Sequence, residues 1–428
     1  MIEGTKMPAP RPPAQIERWR AAAADPVNHA IVALGITQII AWGTTLYALG
    51  VLGKPIANDT GWSQSTVYGG LTVGLLVAGA ISIPVGRWLD RIGGRHVMSL
   101  GSAAAGASLA LLSQASSPVS YLAAWALLGL AMRMTLYDAA FAALVQIAGA
   151  RGRRAISMLT LFGGLASTIF WPIGAALEFA YGWRAALLIF SALNLLVCLP
   201  LHWFFLRPGQ HATAGNTVAP ASSKVAATPL DGAQRRSAMV LFSIVTSASA
   251  ILYGAMAVHL VSVLAATGID ARLAVILASA KGVAQTLSRL VDLVFGRNLH
   301  PMMLGRVTLA CLPLAFLALN FAPAGFAAAA VFVLFFGIAN GLTTIVRGAV
   351  PLAIFGPDGY GAVLGRLATP VLVTNAIAPV LFAVLAENFG LPLCIMVLTA
   401  IAILASAAME VMAHWYRRTQ SPHRRSLY

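Results

Sequence analysis

The sequence predicts an all-α membrane protein of twelve transmembrane helices, arranged as two pseudo-symmetric six-helix bundles. Three observations lead there. Of the 428 residues, 59% are apolar and only 10% charged, with a mean hydropathy of +0.82. A water-soluble fold of that length needs more polar surface than this chain owns. The 28 basic residues, against 13 acidic ones, gather at alternate junctions between the apolar runs. A small, polar, Pro-containing stretch from Pro208 to Arg236 divides the chain into two halves of similar length.

The placement of charge decides what the net +15 means. A basic surplus suits nucleic acid when it forms a patch, but here it marks a membrane face. Basic residues fall in the N-terminal tail (Lys6, Arg11, Arg18, Arg20), at Arg87, Arg91 and Arg95, and at Arg151, Arg153 and Arg154. They recur at Arg207, Lys224, Arg235 and Arg236, at Arg297 and Arg306, and in the C-terminal tail. The intervening junctions carry only Lys54, Arg184 and Arg272. The positive-inside rule then places both termini and the central linker in the cytoplasm, which requires an even number of spans.

A span needs roughly 20 apolar residues at about 1.5 Å rise each. Apolar runs of that length fall near 29–51, 65–86, 97–114, 118–147, 155–178 and 184–206, then near 238–265, 271–296, 301–321, 325–352, 361–386 and 390–414. The domain division follows: a tail over 1–28, a bundle over 29–206, a flexible linker over 207–237, a bundle over 238–414 and a tail over 415–428. The first 28 residues are polar and Pro-rich, without the short apolar core of a cleaved signal. A weak internal repeat supports the two halves. Gly129-Leu130-Ala131 aligns with Gly337-Ile338-Ala339, Thr135 with Thr343, Leu144 with Leu352, Pro172 with Pro379 and Gly182 with Gly390.

The most telling segment is Gly86-Arg87-Trp88-Leu89-Asp90-Arg91-Ile92-Gly93-Gly94-Arg95-His96. Two glycines bracket an Asp-Arg pair, which reads as a charged hinge turning the chain from the second span into the third. It resembles the signature loop of the major facilitator superfamily, through Gly86, Asp90, Arg91, Gly93 and Arg95; Gly94 stands where that family usually has a basic residue. The resemblance implies a cytoplasmic charge cluster, with Arg87 included, that locks helix ends together. A degenerate second copy runs from Arg289 through Asp292 to Arg297. Gly61-Trp62-Ser63 and Gly182-Trp183-Arg184 are similar to bacterial relatives of the monocarboxylate and oxalate:formate transporters. Drug:proton antiporters of the superfamily carry Gly-Pro-x-x-Gly-Gly in the fifth span, and Trp171-Pro172-Ile173-Gly174-Ala175-Ala176 departs from it.

Ionisable groups inside spans carry the expected function, because a charge at membrane depth is costly unless it faces water or a partner. In the eighth span Lys281, Gln285, Ser288, Arg289 and Asp292 recur at intervals of three and four, forming one polar stripe. Lys281, assisted by Gln285, is an anion-binding candidate near the midplane. Arg289 divides between substrate contact, as the resemblance to monocarboxylate transporters implies, and the gate. In the fourth span Arg133 and Tyr137 share a face and are substrate candidates. Asp138 lies about 140° around an unbroken helix from Arg133, which predicts a different partner and either proton coupling or an interhelical ion pair. Arg347 and Arg366, nearer the ends of their spans, suit gate or lipid-headgroup contacts. Trp42 and Tyr47 are cavity-lining or interfacial aromatics, and His259 is a weaker candidate of the same kind.

Cys198, Cys311 and Cys394 have no paired spacing and read as packing residues; no cofactor or metal is expected, and no phosphate loop, zinc motif or nucleophile elbow occurs. The expectation is a non-enzymatic secondary transporter of a small solute, an organic anion, coupled to a proton or to exchange. It needs a bilayer, the bacterial inner membrane, but neither nucleic acid nor a required protein partner. The alternatives are cation efflux using Asp138 as counter-charge, or a non-transporting membrane sensor.

Overall fold

The computed structural model describes residues 25–207, 230–296, 299–320 and 325–420. Over them the chain makes twelve rods. The first is α1 (Pro26–Thr44) and α2 (Ala48–Thr60), interrupted at Thr45–Tyr47. The second is α3 (Gln64–Ala80) continued by the start of α4 (Ser82–Ser113); α4 reverses at Gly93, and 94–113 is the third rod. The fourth is α5 (Pro118–Thr135) and α6 (Tyr137–Ala148). The fifth is α7 (Gly152–Gly164) and the first part of α8 (Ala166–Leu193), which reverses at Gly182. The sixth is the rest of α8, a π-helical turn at Asn194–Cys198, and α9 (Leu199–Phe205). The second half is α10 (Gly232–Ala265), α11 (Ala271–Phe295), α12 (Pro301–Asn320), α13 (Gly325–Phe355), α14 (Tyr360–Phe389) and α15 (Leu391–Gln420). Eight helical stretches among the described residues are long and apolar enough to cross a membrane, and one of them, Pro118–Phe205, holds three rods.

The repeat is visible in the backbone. Gly93 (φ 82°, ψ 160°), Gly182 (φ 76°, ψ 164°) and Gly390 (φ 79°, ψ 162°) make the same reversal between rods 2 and 3, 5 and 6, and 11 and 12. That combination is sterically open to glycine alone. Gly129 and Gly337, aligned by sequence, do equivalent work. A Cβ on Gly129 would sit 2.1 Å from the Gly74 carbonyl, and one on Gly337 would sit 2.8 Å from the Lys281 carbonyl. Each glycine lets rod 4 of its half close onto rod 2.

Several boundaries differ from the sequence reading. The charged hinge is not a turn bracketed by Gly86 and Gly93: helix continues through Gly86 and Asp90, and Gly93 alone reverses the chain. The first rod runs on to Thr60, past the apolar run that ended at 51. α10 starts at Gly232 rather than 238, because Asp231 and Gln234 form a reciprocal capping box that apolar periodicity does not register. The halves also differ. Rods 1, 2, 4 and 5 are interrupted at Thr45–Tyr47, Ile81, Leu136 and Leu165, whereas α10, α11, α13 and α14 are each single helices. Residues 1–24 and 421–428 of the tails, 208–229 of the linker, and Arg297 lie outside the described residues.

The halves meet chiefly through α14 against α3, α4 and α6, and through α7 against α11 and α13. Among the described residues neither α2 nor α8 makes an extended contact with the second half. A cleft therefore closes at the end bearing Arg87, Arg91, Arg153 and Arg154, called the basic end below, and opens toward the other.

Candidate functional site

At the basic end one carboxylate joins the halves. Asp90 accepts from the amide nitrogens of Gly361 (2.8 Å) and Ala362 (2.7 Å), the second and third residues of α14. The residue preceding that helix is Gly359, which has no side chain to cap it. Asp90 takes that place from the opposite half, satisfying orphan N–H groups and meeting the positive end of the helix dipole. The approach demands small residues: a Cβ on Gly86 would lie 2.2 Å from the Gly361 carbonyl, and one on Gly365 would lie 2.4 Å from the Ser82 carbonyl.

The second closure uses the reverse polarity. Arg153, at the start of α7, donates to the carbonyls of Gly296 (2.9 Å) and Leu299, beyond the negative end of α11. Ser157 donates to Asp292 Oδ2 (2.9 Å), while Asp292 Oδ1 is buried without a partner among the described residues. One turn deeper, Arg289 is 2% exposed. Its Nε donates to the Gly341 carbonyl on α13 (3.2 Å) and its Nη1 to the Thr160 carbonyl on α7 (2.9 Å). The Tyr137 hydroxyl donates to that same Thr160 carbonyl (3.3 Å).

Deeper in the cleft, three charges from two halves converge. Asp138 Oδ2 lies 3.7 Å from Arg133 Nη1, and both Asp138 oxygens lie 3.4 Å from Arg347 Nη2. The expectation that Arg133 and Asp138 are poorly placed to pair directly is thereby corrected. It assumed an unbroken helix, but Leu136 (ψ −173°) interrupts the rod and swings the two side chains together. The break also places Arg133 in the last turn of α5 and Asp138 in the first turn of α6, each beside the helix end that favours its charge. Of the two uses expected of Arg347, gate or lipid headgroup, its pair with Asp138 across the halves corresponds to the gate. Arg347 reaches the interior and is the second partner that Asp138 needed. Arg133 Nε donates to Ser82 Oγ (2.8 Å), and its Nη2 is buried with no partner among the described residues. Asp138 and Arg347 line a small cleft with Phe242, Thr246, Leu364 and Leu367.

A model of the Major Facilitator Superfamily matches residues 34–287, more than half of the chain. The chain belongs to the major facilitator superfamily. Solved structures agree on the fold. The human organic anion transporter TETRAN superposes with a TM-score of 0.68 at 15% identity, over 90% of this chain and 98% of that one. The proton:xylose symporter XylE gives 0.65 at 11%, over 90% and 95%. The transporter FucP, in the outward conformation, gives 0.64 at 13%, over 90% and 98%. Identities this low establish architecture only. No curated protein sequence matches the chain. This superfamily member is therefore a multi-pass integral membrane protein whose architecture is that of a small-solute transporter.

Its departure from the family signature has a steric cause. A Cβ on Gly94 would lie 2.2 Å from Ala143 Cβ, so rods 3 and 4 leave no room there for a basic side chain. Arg95 does not reach the opposite half; its guanidinium lies 4.1 Å over the Trp203 ring in rod 6. Arg87 and Arg91 are exposed. Of the signature residues, Gly86 and Asp90 are the ones that touch the second half.

Lys281 is half-buried and has no ion-pair or side-chain hydrogen-bond partner among the described residues. Gln285, one turn further along α11, accepts from Asn340 Nδ2 (3.4 Å) through its Oε1. Trp42 donates to Gln38 Oε1 (3.2 Å), and Gln38 in turn to the Thr135 carbonyl (2.7 Å). Trp42 stands 5.2 Å from the Tyr137 ring and 6.0 Å from the Tyr47 ring. His259 binds the Pro379 carbonyl (3.1 Å), a packing role between α10 and α14. The sequence reading missed the Thr160 carbonyl, whose role comes from the tertiary approach of Tyr137 and Arg289, and Ser157, which partners Asp292.

Proposed function

We propose that this transporter moves a small organic anion of the monocarboxylate kind by alternating access, with the basic end cytoplasmic and the cleft facing outward in this conformation. The membrane is the bacterial inner membrane. The observation that carries the reading is the charge balance at the meeting of the halves. Two guanidinia, of Arg133 and Arg347, share the single carboxylate of Asp138, and along α11 the two cations Lys281 and Arg289 stand against the one carboxylate of Asp292. An anion entering from water finds positive potential there, and low-dielectric walls strengthen it. An organic cation finds Asp138 already engaged on both oxygens.

In this mechanism the substrate carboxylate meets Lys281 first, while Asp90, Arg153 and Arg289 hold the basic end shut. Protonation of Asp138, or competition by the arriving carboxylate, releases Arg347 and loosens the contact between rods 4 and 10. The cleft then closes outward and opens at the basic end.

The test is uptake into proteoliposomes of labelled acetate, lactate, benzoate and a lipophilic cation, with and without an imposed pH gradient. Carboxylate accumulation lost in Lys281→Ala and Asp138→Asn supports the reading. Transport of the cation alone, abolished by Asp138→Asn, replaces it with cation efflux.

A further inference from the structure

Four aromatic rings form a continuous column through the first half, from rod 5 by way of rod 1 to rod 4. Trp171 is 52% exposed. Its ring lies edge-on to Tyr47 at 6.4 Å, Tyr47 lies 6.0 Å from Trp42, and Trp42 lies 5.2 Å from Tyr137. Tyr137 stacks on the buried Phe141 at 5.2 Å, which anchors the inner end. The column thus runs from an exposed indole down to the Thr160 carbonyl, where the Tyr137 hydroxyl and the Arg289 guanidinium meet.

The polar edges of the inner rings are already bound by protein. The Trp42 indole N–H goes to Gln38 and the Tyr137 hydroxyl to Thr160. Two donors are not bound, one in the column and one on α11 of the other half: among the described residues neither the Tyr47 hydroxyl nor the Lys281 ammonium has a hydrogen-bond partner. Lys281 lies eight residues, about 12 Å, outward of Arg289 on α11. It stands about 21 Å from the basic end of its rod, between the depths of Tyr137 (about 16 Å) and Trp42 (about 24 Å) in theirs. A cation with no protein counter-charge, at the depth of a ladder of rings in the opposite half, suits a ligand with an anionic head and a flat body. A wall of rings adds offset and edge-on contacts for an aromatic ligand beyond those it offers an aliphatic one of equal size.

We infer that the transported anion is an aromatic carboxylate, its carboxylate taken by Lys281 and the Tyr47 hydroxyl and its ring by the Trp171–Tyr47–Trp42 column. The inference rests on the anion reading above and narrows it.

The experiment compares proteoliposome uptake of labelled benzoate, cyclohexanecarboxylate and acetate. The first two share charge and approximate size and differ in the π face. Wild type should prefer benzoate over cyclohexanecarboxylate by about 3- to 10-fold, the range of an aromatic pair's added contact. Trp171→Leu and Tyr47→Leu should remove the preference, and Tyr47→Phe, which keeps the ring, should keep it. Trp171 is half exposed, so its variant tests the ring without opening a core cavity. Equal uptake of the two acids, or an unchanged preference in both leucine variants, overturns the aromatic assignment and leaves the anion reading standing. No uptake of any of the three carboxylates overturns both.

Discussion

Asp138 of the first half and Arg347 of the second stand 3.4 Å apart, and the same carboxylate also meets Arg133 at 3.7 Å. The pair ties rod 4 to rod 10 across the cleft, and Asp138 is held on its own side only because Leu136 breaks the rod. A carboxylate between two guanidinia is a strong contact while intact and a large penalty when broken, since removing it leaves like charges facing each other at low dielectric.

Asp138→Asn should therefore destabilise the detergent-purified protein by about 3 kcal/mol, the lower end for a buried pair because Arg347 is partly solvated. Arg347→Gln in the same chain should recover part of the loss by removing the repulsion. Melting temperatures of the two single variants and the double variant give the coupling directly. Additive losses would mean that the two residues do not interact.

The helix cap contributed by Asp90 makes a second prediction. Loss of an N-cap costs about 1 kcal/mol, which is about a fivefold shift in population between a closed and an open basic end. Spin labels at the exposed positions Ile92 and Asp358 should report one dominant short distance in the wild type and a second, longer one in Asp90→Ala. Gly361→Ala should act the same way, because its Cβ would stand 2.6 Å from the Gly86 carbonyl. An unchanged distance distribution in both variants would remove the closure from this contact.

The departure at Gly94 is a packing constraint. Restoring a basic residue with Gly94→Lys should lower stability by about 1–3 kcal/mol through overpacking against Ala143, and Ala143→Gly should return part of it. If Gly94→Lys melts at the wild-type temperature, the steric account fails.

How much of this was legible beforehand follows from what each signal encodes. Hydropathy and alternating basic junctions gave twelve rods and two halves, because the bilayer imposes length and charge asymmetry on the sequence itself. Glycine spacing carried the repeat, since the shared reversal at Gly182 and Gly390 is a backbone state other residues avoid. The polar stripe on α11 was visible as periodicity, and Arg289 and Asp292 do face rod 5. The pairing of Asp138 was not legible. It depends on a helix break at Leu136, a residue with no breaking propensity, so the interruption comes from tertiary packing. The partner of Arg347 was not legible for a related reason: distance along a rod gives depth, but not which wall of the cleft a long side chain crosses. Asp90 as the cap of α14 also needed the structure, because a missing cap at Gly359 is satisfied from a residue 269 positions away.

Outside the membrane, Asp25 caps α1 and forms a bidentate pair with Arg151. That hydrogen bond holds the Asp25 carboxyl below its ordinary value of 3.8. A carboxylate with a depressed folded-state pKa contributes stability above its unfolded value, and the contribution disappears as pH falls through the lowered folded value. Asp25→Asn keeps a capping side chain and loses the ion pair. It should melt slightly below wild type at pH 7 and converge with it as pH falls through the lowered folded-state value. The effect is small because Arg151 is 57% exposed and solvent screens the pair. A gap that persists unchanged at low pH would assign the loss to something other than this titration.

Lys281 and Arg289 sit on one helix and should respond oppositely to substitution. Arg289 is spent on structure: it joins α11 to a carbonyl on α13 and to one on α7. Arg289→Lys keeps the charge but presents a single ammonium in place of a planar fork, so it cannot serve both carbonyls in the same geometry. It should lower the melting temperature and reduce maximal uptake by more than tenfold. Lys281 has no such partner. A desolvated cation without a counter-charge costs stability, so Lys281→Met should melt at or above the wild-type temperature. Its loss should appear in binding, as an apparent KM for the carboxylate raised about tenfold or more, the equivalent of about 1.4 kcal/mol. A lysine that merely packs would show the reverse, a lower melting temperature with KM unmoved.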